Sequence, residues 1–295
     1  MKRSLFYILL GSLAISSCSS DQKPQTAVTG ARKILVDESF EPIIDDQYRV
    51  FESTYTQAKI ELIYKPEIDL LNLFLQDSIN VAIMSRKLTP SEAKFYESRN
   101  IKVRTNRIAT DAIALITNQS STDTTITVEE IKAIMQGNAV NKSLVFDNPN
   151  SSTVRYLKEL AGIKELPKRG VYALKSNEEV IKYVYNNPGT IGVIGINWMI
   201  QPTEELESIV DKLKIIAVKN VQGLAGSDKY YEPTQNNLAL GLYPLSRELY
   251  IINCEGGPGL GTGFASFLAG ERGQRIILKS GLLPDSIPTR QIIIR

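Results

Sequence analysis

From residue 32 onward, short apolar runs alternate with stripes of helical period, and few folds accept that order. "RKILVDE" (32–38) reads as a short buried strand, and residues 43–57 set Ile43, Ile44, Tyr48, Phe51 and Tyr55 on one helical face. "KIELIY" (59–64) alternates like a strand, "EIDLLNLFLQDS" (67–78) is a second helix, and "INVAIMS" (79–85) is a third strand. A third helix opens on Thr89 as cap, Pro90 in the first turn and Glu92 three residues after the cap. Strands and helices in this order predict an α/β fold with a mostly parallel sheet covered by helices.

A second set follows. Thr127 and Glu130 form another capping box, "KSLVF" (142–146) is a strand, and "SSTVRYLKELAG" is a helix stopped by Gly162. Ser176 and Glu179 start a further helix, and Pro188-Gly189 turns the chain into the buried strand "TIGVIGI". The C-terminal part gives "ALGLYPLSRELYIIN" (239–253), a glycine-rich turn and one helix over 264–281. The length of 295 residues leaves room for two domains. The long alternating stretches 107–118 and 239–253 are read as hinge strands joining two lobes. Lobe 1 is 31–117 plus 237–295, and lobe 2 is 118–236.

Composition removes several function classes. There is no histidine, which excludes Ser-His-Asp and Cys-His nucleophilic sites and His-ligated zinc. Lys2 and Arg3 account for the net charge of +2, and no basic run or patch points to a nucleic acid. "GGPGLGTGF" (256–264) lacks the Lys-Ser/Thr of a nucleotide loop, and "SEAK" (91–94) lacks the partner motifs of a serine acyl-enzyme. No cofactor or metal is expected, and no catalysis.

The first 17 residues have a basic start and an apolar run too short to span a bilayer, which is the form of a signal peptide. Small residues directly before Cys18 resemble a bacterial lipoprotein box, so Cys18 is the expected lipidation site; an ordinary signal cut elsewhere is the plainer alternative. Residues 18–30 are small and polar, as a tether would be. The expected place is the cell envelope, with the protein anchored to the membrane by lipid and facing the periplasm or exterior. Cys254 then has no partner and is expected to be buried.

Where a strand of such a sheet ends and a helix begins, ligands gather. "FDNPNSST" (146–153) sits at one such crossing. Ser151, Ser152 and Thr153 offer hydroxyls beside the unpaired N–H groups of a first helical turn, an anion cradle without net charge. The same residues also serve a plain N-cap, and the stretch alone leaves both readings open. "AIMSRKL" repeats the logic with Ser85 and Arg86, a guanidinium suited to a phosphate or carboxylate. "LVDESFEP" (35–42) supplies Ser39 as a donor, with Asp37 and Glu38 as acceptors.

These segments together resemble phosphate-binding proteins of ABC importers, the PstS-like family of periplasmic binding proteins. "INVAIMSRKLTPSEAKFY" is similar to that family's Ser-Arg segment, "IATDAIALITN" to its first hinge strand, "TVEEIKAIMQG" to the helix after it, and "SSTVRYLKEL" to its Ser-Gly-Thr anion loop. "NPGTIGVIG", "YPLSRELYIIN" and "FLAGERGQRIILKSGLLP" follow in the family's order, over about residues 34–285. The resemblance implies a two-lobed periplasmic-binding-protein fold, each lobe a mixed, mostly parallel sheet flanked by helices. The lobes would close on inorganic phosphate or a similar oxyanion, probed by an ABC permease. Ser39, Ser85, Arg86, Ser151, Ser152 and Thr153 would line the site. The chain departs from the family at Asp147, where an arginine is usual, and at Ser152, where glycine is; Arg155, just beyond, is the expected compensating charge in a monomeric carrier. The rival expectation is a lipid-anchored scaffold or sensor that keeps the fold and no longer transports.

Overall fold

The computed structural model describes residues 25–138 and 142–286. Cys18, the signal peptide and most of the tether lie outside the described residues.

The first set of elements is strand β1 (Gly30–Asp37), helix α1 (Glu41–Thr54), β2 (Ala58–Lys65), α2 (Glu67–Leu75), β3 (Val81–Met84), α3 (Pro90–Glu97) and β4 (Arg104–Asn118). The middle of the chain gives β5 (Thr125–Thr127), α4 (Val128–Met135), β6 (Leu144–Phe146), α5 (Ser152–Ala161), β7 (Val171–Ala173), α6 (Asn177–Asn186) and β8 (Ile191–Gly195). Then come α7 (Asn197–Ile200), α8 (Glu204–Val210), β9 (Leu213–Ile215), β10 (Ala217–Lys219) and α9 (Gln235–Ala239). The last elements are β11 (Ser246–Asn253), α10 (Leu260–Ala269), α11 (Glu271–Lys279) and β12 (Leu283–Pro284).

The capping logic holds at the atomic level. Thr89 and Thr127 each accept from the backbone of a glutamate three residues on, and each glutamate bonds back to its cap. Ser151 caps α5 through the Val154 N–H, and Gly162 ends that helix in the left-handed region at φ 67°. Such a backbone is unstrained only for glycine or a few small polar residues.

Two half-sheets share one strand. β1 lies parallel between β2 and β3, and β11 runs antiparallel beside β3 and β4. β6 lies parallel between β7 and β8. β4 joins them: Arg104–Ala112 pairs with β11, while Ile113–Ile116 pairs with β8. Its burial shifts from four consecutive exposed residues, Arg104 to Arg107, to seven consecutive buried ones, Asp111 to Thr117, as it enters the second half. β5 and β10 form a separate parallel pair.

Two sequence expectations change here. Residues 239–245 are not strand: α9 ends at Ala239, Gly241 takes φ 65°, and only from Ser246 does the chain join the sheet. The expected single helix over 264–281 is two, because Gly270 is extended (φ −79°, ψ 168°) and closes α10 while opening α11. Among the described residues no helix is long and apolar enough to cross a membrane. Cys254 is buried and free, and burial above all raises its thiol to about 12.

Candidate functional site

The carboxyl ends of β1 and β6 face each other across the junction of the two half-sheets. β1 ends in Asp37, and a short 3-10 turn (Glu38–Phe40) carries Ser39 inward, its N–H held by Asp37 Oδ1 at 3.0 Å. From the other side, the start of α5 brings Ser152, whose hydroxyl lies 3.3 Å from that of Ser39. β11 supplies Arg247, which lies over the Phe40 ring at 4.6 Å. Its Nη1 donates to Ser152 Oγ at 2.8 Å and its Nε to Asp111 Oδ2 at 2.8 Å. The backbone oxygen of Ser39 accepts from Trp198 Nε1 (3.0 Å) and Asn197 Nδ2 (3.3 Å), both on α7. Gly195, at the end of β8, allows this approach: a Cβ there would stand 2.5 Å from Asn197 Oδ1 and 3.7 Å from Arg247 Nη2.

Several buried polar atoms in this cluster have no hydrogen-bond partner. They are Arg247 Nη2, Asp37 Oδ2, Asp111 Oδ1, Asn177 Oδ1 and Asn197 Oδ1. Buried polar atoms are rarely left so, and a concentration of them marks a place built for a guest. The donor side is the free Arg247 nitrogen, the hydroxyls of Ser39 and Ser152, and the first-turn N–H groups of α5. The acceptor side is acidic. Burial, then Glu67, raises Asp37 to about 6 against the pull of Arg247. Burial also raises Asp111 and Asp147, opposed by Arg247 at the first and by the Ser151 and Thr153 hydroxyls at the second.

A profile described as the PBP superfamily domain matches residues 21–272. The chain belongs to the PBP superfamily. Among its relatives, the phosphate-binding protein PstS of Staphylococcus aureus is 26% identical over 223 residues, covering 71% of this chain. The chain spans 64% of that relative's length. The Staphylococcus saprophyticus protein of the same name is 28% identical over 195 residues, covering 62% of this chain and 57% of its own. Among solved structures, a Clostridium perfringens protein with bound phosphate superposes with a TM-score of 0.71 at 20% identity, covering 87% of this chain and 100% of its own. A phosphate transport receptor from Vibrio cholerae gives 0.65 at 20% identity, covering 86% and 100%. The two-lobed fold is therefore that of the PBP superfamily, with the cluster at the lobe junction.

Within this PBP-superfamily chain, Ser39 and Ser152 meet at the junction. Ser151 and Thr153 stand behind them: their hydroxyls bond each other at 2.8 Å, and Thr153 donates to Asp147 Oδ1 at 2.9 Å. Ser85, Arg86 and Arg155 gather instead around buried Glu67. Arg155 forms an ion pair with Glu67 and reaches Ser85 Oγ at 3.1 Å; Ser85 donates to Glu67 Oε2 at 3.2 Å. Arg86 is held by Glu92, the acid of the α3 capping box, through two bonds of 2.9 and 2.8 Å. The guanidinium beside Ser39 and Ser152 is that of Arg247 rather than Arg86, with Asp111 bound to it. Arg247 lies in "YPLSRELY", at the sheet end of a stretch expected to be a hinge. Alternation placed the strand but gave no sign that this one charged residue faces inward.

The glycine-rich turn has its own occupant. The Glu255 carboxylate accepts from the N–H groups of Gly261 (3.3 Å) and Thr262 (3.0 Å) at the start of α10 and is paired with Arg32. That helix start is filled by the chain itself.

Proposed function

We propose that this chain is an extracytoplasmic lipoprotein that captures inorganic phosphate or a related tetrahedral oxyanion between its lobes and delivers it to an ABC permease. Residues 31–117 and 237–295 would form one lobe and 118–236 the other, with Cys18 carrying the lipid. The reading rests on Arg247: it is 4% exposed, fixed by Asp111 and Ser152, and keeps one nitrogen unpartnered where the Ser152 hydroxyl meets that of Ser39. The phosphate-binding relatives support the choice of ligand.

Micromolar capture corresponds to about −8 kcal/mol, and charge-assisted hydrogen bonds contribute about 1.5–3 kcal/mol each before ordering costs. Donors from both lobes are needed, so binding is coupled to closure. Asp37 Oδ2 and Asp111 Oδ1 would accept a proton carried by the ligand, which hydrogenphosphate has and sulfate lacks at neutral pH. Titration calorimetry at pH 7 is expected to show phosphate binding at least about tenfold tighter than sulfate; equal affinities would remove the acceptor role. A thermal shift at saturating ligand, worth about 2.7 kcal/mol at 100 times Kd, tests binding itself. The scaffold reading draws on the surplus of buried carboxyls over guanidinium at the junction, and a chain unmoved by every oxyanion would favour it.

A further inference from the structure

Next to the junction lies a cavity of about 190 Å³ lined by Glu38, Glu41, Ser176, Asn177, Glu178 and Trp198. Its chemistry is opposite to that of an oxyanion seat. Three of the six residues carry carboxyl groups, and none is cationic. Asn177 is 1% exposed; its Nδ2 donates to Asp147 Oδ2 at 3.2 Å, which leaves Oδ1 as a buried acceptor without a partner. Glu38 Oε1 is a second such atom. Burial, then Asp147 and Asp37, raises Glu38 to about 8, as happens to a carboxyl held among like charges with no countercharge. An indole in the wall suits an ammonium group, which aromatic rings attract.

The cavity is joined to the junction residue by residue. Glu38 sits in the chain between Asp37 and Ser39. Trp198 donates to the Ser39 oxygen, and Asn177 is one hydrogen bond from Asp147. A guest seated on Ser39, Ser152 and Arg247 therefore has a cation-seeking compartment beside it.

We propose that this compartment receives the positively charged end of the ligand, so that the chain binds a short organophosphorus zwitterion: an ammonium group carried on a phosphate monoester or phosphonate. The inference rests on the oxyanion reading of the neighbouring site and extends it. Inorganic phosphate fills only the donor half; the zwitterion fills both, and its ammonium satisfies Asn177 Oδ1 and the carboxylates at once.

The test is calorimetry at pH 8.5, above the Glu38 value and with the ammonium group still protonated, on the whole mature chain with three probes: inorganic phosphate, ethyl phosphate and phosphoethanolamine. The last two differ only in the ammonium group. Phosphoethanolamine is expected to bind at least about tenfold tighter than ethyl phosphate. In Glu38→Gln that ratio is expected to fall to within about twofold of unity. Glu41→Gln serves the same purpose if the first variant does not fold. Equal affinities of ethyl phosphate and phosphoethanolamine would overturn the inference while leaving the oxyanion reading in place. Failure of all three probes would overturn both.

Discussion

Replacing Arg247 by lysine keeps a charge beside Asp111 but gives up the flat fork that reaches Ser152 and leaves Nη2 free. Oxyanion affinity is expected to fall about 10- to 100-fold by calorimetry. Arg247→Gln goes further and strands the Asp111 carboxylate in a buried setting; a loss of about 3–5 kcal/mol is expected in chemical denaturation. Asp37 contributes to the pH response between about pH 4 and 6, below the folded value of Glu38. Its folded value of about 6 lies above the ordinary 3.8, so the folded state holds the proton more tightly than the unfolded chain. Its contribution is present below about pH 4 and is lost as pH rises through 6, a change of about 3 kcal/mol. The ligand-free protein is expected to lose Tm between pH 4.5 and 6.5, and Asp37→Asn, which keeps an acceptor for the Ser39 N–H, to flatten that slope. Parallel curves for parent and variant would count against Asp37 as the titrating group.

At the scale of elements, α2 and α5 start opposite each other across the junction. Glu67 and Arg155 pair there, and Ile68 N–H donates to the Asn150 oxygen at 3.1 Å. Both ends of this contact are partly shielded, so the pair contributes more than an exposed one. Arg155→Ala removes a tie between the halves without touching Arg247. We expect the ligand-free protein to open, seen as a larger radius of gyration in small-angle scattering, and ligand affinity to weaken several-fold; an unchanged radius would deny the tie its role. The strands and caps of these elements were legible in the sequence because period and capping are local. Thr89–Glu92, Thr127–Glu130 and Gly162 signal themselves within four residues. The junction was half legible. Ser39 and Ser152 follow from their places at strand ends, whereas the choice of Arg247 over Arg86 depends on which acid each finds. Glu92 takes Arg86 within its own helix start, and Asp111 meets Arg247 only because β11 lies beside β4, a pairing of residues 136 positions apart. The helix break at Gly270 is hidden in the sequence because the apolar stripe runs on through it.

Across the whole molecule, β4 divides its partners: β11 and β12 along its first part, β8 and β9 along its last. The core follows suit, with one apolar cluster extending from Ile34 and Phe40 through Ile113 and Leu115 to Val193 and Trp198. The two halves thus meet at a polar seam yet share a backbone ladder. This arrangement limits how the protein can be taken apart. A fragment of residues 119–236 would carry β8 with one bare edge where β4 belonged, and an unpaired apolar strand recruits the nearest exposed partner. Expressed alone, that fragment is expected to elute as aggregate in size-exclusion chromatography, while one beginning upstream of Arg104 keeps the strand that seals it. In modular terms the molecule has two reading heads but a single spine, and an inheritance that recombined the heads would have had to carry the spine with one of them.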